Sequence, residues 1–194
     1  MKKKFEVKDL ITVGIFTALY FAVIFAVACL GFIPIFMVFV PLIGPIIAGI
    51  PLMLYYSKIK HFGMITITSV IIGILMFIVG HPYPIFIFCI GSGLLTELVL
   101  RSGKYKSINA CVLGSATFSC WLLGMVIAFF FGFREEYFAS IVDGYGQEYV
   151  TSMMKYTPTW VFYTMVAMCL VGGAIGGLLG SKVLKKHFRK AGMA

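Results

Sequence analysis

Lys2-Lys3-Lys4-Phe5-Glu6-Val7-Lys8-Asp9 runs directly into Leu10-Ile11-Thr12-Val13-Gly14-Ile15-Phe16-Thr17-Ala18-Leu19-Tyr20-Phe21-Ala22-Val23-Ile24-Phe25-Ala26-Val27-Ala28-Cys29-Leu30. Charge crowds the first nine positions and then vanishes until Lys58, and the quoted apolar stretch from Leu10 to Leu30 has 21 residues. At about 1.5 Å per residue, a helix of that length covers roughly 30 Å, the thickness of a bilayer's hydrocarbon core. The same alternation recurs along all 194 residues. Apolar spans are predicted near 10–30, 33–56, 62–80, 84–100, 108–132 and 158–181, and every Lys and Arg falls between them or at their ends.

Those cations are sorted by side. Lys2, Lys3, Lys4 and Lys8, then Lys58 and Lys60, then Arg101, Lys104 and Lys106, and finally Lys182, Lys185, Lys186, Arg189 and Lys190 share one side, which leaves Arg134 and Lys155 on the other. Lys and Arg near span ends resist translocation, so the bias predicts cytoplasmic N- and C-termini. The expected fold is an all-α integral membrane protein of the cell membrane with six transmembrane helices. One domain covers 1–194, with an outer lid at 133–157 and a basic cytoplasmic tail at 182–194.

Composition agrees with a lipid solvent. The chain is 61% hydrophobic with a mean hydropathy of +1.02, and backbone groups in hydrocarbon must pair internally, which favours helices. The net charge of +9 is spread over four cytoplasmic segments without an aromatic reading surface. It is read as topology plus attraction to anionic lipid, with no nucleic-acid partner. Cys29, Cys89, Cys111, Cys120 and Cys169 lie within spans without paired ligand spacing, so buried thiols and no metal or cofactor are expected. Ala26-Val27-Ala28-Cys29 loosely resembles a lipoprotein cleavage box, but cleavage would leave five spans and an unbalanced topology. The first run is therefore read as a retained span.

Several features carry two readings each. Gly14, Ala18, Ala22 and Ala26 recur every four positions and form one smooth helix face, for packing within the bundle or for docking another membrane subunit. Pro34, Pro41, Pro45 and Pro51, with Gly44 and Gly49, predict a kinked or interrupted second span that either packs or lines a site. Glu97, the only acid inside a predicted span, is expected to pair with Arg101 one turn on or to snorkel. Trp121 falls near mid-span, as a packing group or a stacking surface. Gly172-Gly173-Ala174-Ile175-Gly176-Gly177-Leu178-Leu179-Gly180 is read as a close-packing face.

The outer side collects the candidate ligand groups. Gly80-His81-Pro82-Tyr83-Pro84 is a short turn bearing an imidazole and a phenol. The segment 133–157 holds four of the seven acids, Glu135, Glu136, Asp143 and Glu148. Its apolar residues recur at Tyr137, Phe138, Ile141 and Val142, then at Tyr149, Val150, Met153 and Met154, around Asp143-Gly144-Tyr145-Gly146. Two short amphipathic helices are predicted, resting on the membrane or closing a cavity as a lid. Substrate binding is expected from His81, Tyr83, Trp121, Arg134, Glu135, Tyr137, Trp160 and Tyr163. The catalytic motifs sought, His-Glu-x-x-His, Gly-x-Ser-x-Gly and a phosphate-cradling loop, do not occur, so an enzyme is not expected.

Lys8-Asp9-Leu10-Ile11-Thr12, Gly80-His81, Arg101-Ser102-Gly103-Lys104-Tyr105-Lys106-Ser107 and Lys185-Lys186-His187-Phe188-Arg189-Lys190-Ala191-Gly192 together resemble the Trep_Strep family of S components of energy-coupling factor transporters. The likeness runs over nearly the whole chain. It implies a six-helix subunit that binds a small vitamin-like substrate and associates with a transmembrane coupling protein and two cytoplasmic ATPases. It further implies that Gly14, Ala18, Ala22 and Ala26 face the coupling protein, and that the ligand lies near the extracellular side. The rival expectations are a structural or regulatory protein that self-associates through the first helix, and a stand-alone secondary transporter.

Overall fold

The computed structural model describes residues 6–132, 134–190 and 192, excluding the side chains of 187 and 188. Lys2, Lys3 and Lys4 of the basic N-terminus, Phe133 of the predicted lid, and Ala191, Met193 and Ala194 of the tail lie outside the described residues. The rest is helical: α1 (Val7–Ala28), α2 (Pro34–Tyr56), α3 (Met64–Ile78), α4 (Pro84–Ser102), α5 (Ile108–Ser119), α6 (Leu122–Val126), α7 (Arg134–Tyr145), α8 (Gln147–Tyr156), α9 (Thr159–Val183) and α10 (Lys185–Lys190). Short 3-10 turns follow α1 at Cys29–Phe32 and α6 at Ile127–Phe129.

Among the described residues, five segments are long and apolar enough to cross a membrane: Val7–Phe32, Pro34–Tyr56, Pro84–Ser102, Ile108–Phe129 and Thr159–Val183. The predicted third span, 62–80, is shorter than expected. Its helix, α3, has 15 residues, about 22 Å at 1.5 Å per residue and less than a hydrocarbon core. Glycines set both limits. Gly63 enters α3 at φ +107° and Gly80 leaves it at φ +103°, values that side-chain-bearing residues rarely adopt. The predicted fifth span is also interrupted, turning at Cys120 and Trp121 between α5 and α6.

The helices run up and down, so the start of α1, the ends of α2, α4 and α9, and the α2–α3 and α4–α5 connections share one end. That end carries the described basic segments. The tightest seam is α9 against α2 on one side and α5 on the other. Gly172, Gly176 and Gly180 recur every four residues toward α2; a Cβ on Gly172 would lie 2.5 Å from the Leu42 carbonyl oxygen, and one on Gly176 would strike the Pro45 backbone. Gly173 and Gly177 face α5 in the same way, against Ser115, Ala116 and Val112. The glycine run thus packs backbone on backbone. On the opposing surface, α2 stays helical through Pro41, Pro45 and Pro51.

Glu97 corrects the sequence reading. It is fully buried, and its Oε2 accepts from the backbone N–H groups of Ile65 (3.0 Å) and Thr66 (3.1 Å) and from the Thr66 hydroxyl (3.3 Å), while Tyr105 Oη donates to Oε1 at 3.4 Å. A carboxylate on α4 therefore caps the first turn of α3, where Gly63 has no side chain to do so. Arg101 turns instead to the Phe62 ring, 5.7 Å from its centroid. At the same end Asp9 Oδ2 accepts from the Glu6 backbone N–H at 2.9 Å and lies 3.3 Å from His61 Nε2. Nearby, Tyr55 Oη donates to the Met64 carbonyl at 3.0 Å and lies 3.0 Å from the Thr68 hydroxyl, to which Thr17 donates at 3.1 Å.

Candidate functional site

The opposite end of the bundle is hollow. A cavity of about 290 Å³ lies between the far ends of α1, α2 and α3, the α6 segment, and the α7–α8 pair. From α1 and its following turn come Phe21, Phe25, Cys29 and Phe32; Met37, Met76 and Met125 line it from α2, α3 and α6. Phe129 follows α6, and the α7–α8 pair supplies Tyr137, Phe138, Ile141, Tyr145, Tyr149 and Met153. The predicted amphipathic pattern accounts for the last group. α7 and α8 join at Gly146, whose φ of +83° suits only glycine comfortably, and Phe138, Val150 and Met153 on their inner faces are buried.

Three contacts hold α7 and α8 over the cavity. Tyr149 Oη donates to the Gly31 carbonyl at 2.6 Å, joining α8 to the end of α1. Tyr145 stacks on Phe32 with centroids 6.0 Å apart and meets Tyr149 at 4.8 Å. Arg134 forms the hinge: Nη1 donates to the Phe129 carbonyl, to the Thr157 carbonyl (2.7 Å) and to the Thr157 hydroxyl (3.2 Å), and Nη2 donates to the Met154 carbonyl at 2.9 Å. Its guanidinium also lies 5.2 Å from the Phe138 ring centroid. A fork of charged donors thus ties the end of α8 to the turn before α7.

His81 is positioned by the end of α3. Its backbone N–H donates to the Met76 carbonyl at 3.1 Å and that of Gly80 to Phe77 at 3.0 Å, the paired bonds of a glycine-terminated helix. This places His81 on the cavity wall. Its Nδ1 is buried without a hydrogen-bond partner. Burial lowers the imidazole pKa from its ordinary 6.5, so the ring is neutral at pH 7. The Tyr137 hydroxyl makes no hydrogen bond among the described residues, and burial raises its pKa. None of the lining residues is Asp, Glu, Lys or Arg.

Of the eight predicted binding residues, the cavity brings together His81 and Tyr137. Trp121 is fully buried elsewhere: its Nε1 donates to Tyr20 Oη at 3.0 Å, and the rings meet edge to face at 6.5 Å. Arg134 spends its donors on backbone carbonyls at the hinge. Glu135 is exposed on α7, Tyr83 is 60% exposed, and Trp160 and Tyr163 are each 67% exposed on the first turns of α9. None of these six lines the cavity. The far end of α1 and Met37, Met76 and Met125 were missed as lining groups because their spacing matches that of any membrane helix.

The small residues of α1 point the other way. Gly14, Ala18, Ala22 and Ala26 are all exposed, whereas Val13, Thr17, Tyr20 and Ile24 turn inward. A Cβ added at Gly14 would meet nothing within 4 Å. α1 is peripheral, with 28% of its span buried against 72% for Ile108–Phe129.

The cavity's lining is of a kind small-molecule pockets share. It joins aromatic rings and thioethers to a few uncharged polar tips, and no group of three or more His, Cys, Asp or Glu able to hold a metal ion occurs among the described residues. Comparison with curated proteins and with solved structures gave no match. Residues 7–190, by contrast, match a family described as a hypothetical bacterial integral membrane protein. The chain belongs to this Trep_Strep family and is a multi-pass membrane protein.

Proposed function

We propose that this chain is the substrate-binding subunit, or S component, of an energy-coupling factor importer, taking up a small vitamin-like micronutrient. The observation that carries this reading is the cavity beneath α7 and α8, at the end of the bundle opposite the basic segments. Under the charge bias those segments are cytoplasmic, so the cavity opens toward the extracellular side. All six helical segments cross, with α3 completed by its flanking turns. A small molecule enters from outside, α7 and α8 close over it about the Arg134 hinge, and the loaded subunit docks on a transmembrane coupling protein. Two cytoplasmic ATPases drive its reorientation.

The outward face of α1 supports the docking step. Its small residues turn to lipid instead of filling the bundle, and smooth faces of this kind let helices of another chain approach closely. A stand-alone secondary transporter is less well supported. It needs a coupling-ion site, and the oxygens of Glu97 are engaged in capping α3. A structural protein self-associating through α1 needs no cavity.

The test is the double substitution Ala18→Leu and Ala22→Leu, with affinity purification from the native host. The importer subunit keeps its bound small molecule, loses co-purifying ATPases and loses uptake. A protein that goes from oligomer to monomer, with no ATPases in the parent preparation, overturns the proposal.

A further inference from the structure

The cavity also constrains the substrate class, given the reading above that it is the substrate site. Its wall has no formal charge. The nearby charged groups turn elsewhere: Glu135, Glu136, Asp143, Glu148 and Lys155 are exposed, and Arg134 is held by carbonyls. A charged ligand would therefore leave water without a counter-ion to receive it, at a cost of several kcal/mol. A neutral ligand meets no such barrier.

The wall does offer hydrogen bonds and flat surfaces. His81 has a buried Nδ1 without a partner, the Tyr137 hydroxyl makes no hydrogen bond among the described residues, and Tyr149 keeps acceptor capacity after donating to Gly31. Around them Phe129, Phe138 and Tyr145 present rings, and methionine sulfurs from four helices supply soft, polarisable contacts that suit aromatic guests. A volume of about 290 Å³ sits at the small end of ligand pockets. We infer that the cavity takes an uncharged heteroaromatic molecule of one or two rings, held by hydrogen bonds to His81 and Tyr137 and stacked among the lid aromatics.

Cys29 reports on this directly. It lines the cavity and is exposed, whereas Cys89, Cys111 and Cys169 are buried and Cys120 is half-buried. The full-length chain in lipid nanodiscs is alkylated with N-ethylmaleimide, and the rate at Cys29 is read by peptide mass. Four bicyclic probes of similar shape are compared: quinazolinone (neutral, with ring nitrogens), naphthalene (neutral, without them), naphthoate (anionic) and N-methylquinolinium (cationic).

Quinazolinone should slow Cys29 alkylation about tenfold at saturation, with naphthoate and N-methylquinolinium at least ~100-fold weaker. His81→Phe and, separately, Tyr137→Phe should each weaken quinazolinone protection by about fivefold while leaving naphthalene unchanged. Either variant suffices if the other fails to fold. Equal or better protection by a charged probe overturns the inference, as does protection by naphthalene equal to that by quinazolinone. Cys29 protected by lipid alone and indifferent to all four probes overturns it too. The assay needs no partner chain, so correct probe selectivity without ATPase association would sink the importer reading alone, and wrong selectivity with association would sink this inference alone.

Discussion

The two ends of the bundle treat buried polarity in opposite ways. At the basic end Glu97 accepts several hydrogen bonds, Asp9 meets His61, and Tyr55, Thr68 and Thr17 form a closed chain. Among the described residues the Tyr56 hydroxyl there, and the Ser115 hydroxyl within the α5–α9 seam, are the buried exceptions. At the lid end His81 keeps an unpartnered nitrogen beside a void. Polar groups in a low-dielectric interior are costly when unmet, so the first end is built for rigidity, and under the proposed binding role the second keeps hydrogen-bonding capacity free for a ligand. Between them runs the glycine seam of α9, which fixes the ends relative to each other.

The seam carries the largest expected effect. Gly176→Leu should cost about 3 kcal/mol or more, because the added side chain meets the Pro45 backbone. Little monodisperse protein should be recovered, whereas Gly14→Leu on the exposed face of α1 should behave like the parent. Next comes the rigid end. Glu97→Leu strips the first turn of α3 of its acceptor and should destabilise by roughly 2–3 kcal/mol in thermal unfolding, with Glu97→Gln losing about 1 kcal/mol because an acceptor remains.

Perturbing the lid end should be gentler and local. Arg134→Ala removes the carbonyl contacts of the hinge, and amide exchange across α7 and α8 should quicken about tenfold while α2 and α9 keep their protection. Uniform exchange changes would contradict a separate hinge. The smallest effect is on pH. Burial lowers the folded pKa of His81 below 6.5, so at pH values between the two the unfolded chain takes up a proton that the folded chain refuses. The His81 contribution is therefore complete above about pH 6.5 and is lost as pH falls through the folded value. The melting temperature of the parent should fall relative to that of His81→Phe as the medium is acidified. A constant difference from pH 7.5 to 5 would show that His81 is not held neutral.

The sequence was most readable where one periodic pattern decides the answer. Apolar run lengths marked five segments long and apolar enough to cross a membrane, the glycine run from Gly172 to Gly180 marked α9 as a packing helix, and the recurrence from Tyr137 to Met154 marked two helices. It was least readable where partners are remote. Glu97 caps a helix 31 and 32 residues upstream, which an i,i+4 rule cannot anticipate. Trp121 meets Tyr20 across 101 positions, so its mid-span placement pointed equally to ligand and to core. Arg134 looked like a charge awaiting a substrate because backbone carbonyls, its actual partners, leave no trace in composition. α3 fell short of its apolar run because Gly63 and Gly80 end it by backbone conformation.

The most direct test of the binding account is native mass spectrometry of the full-length chain, extracted in mild detergent from its own host and compared with Met125→Trp, which fills the cavity from α6. The account predicts a stoichiometric, uncharged adduct small enough for about 290 Å³ on the parent and none on the variant, with ATPase chains retained by both. An empty parent that flies as a homo-oligomer without partner chains would contradict it.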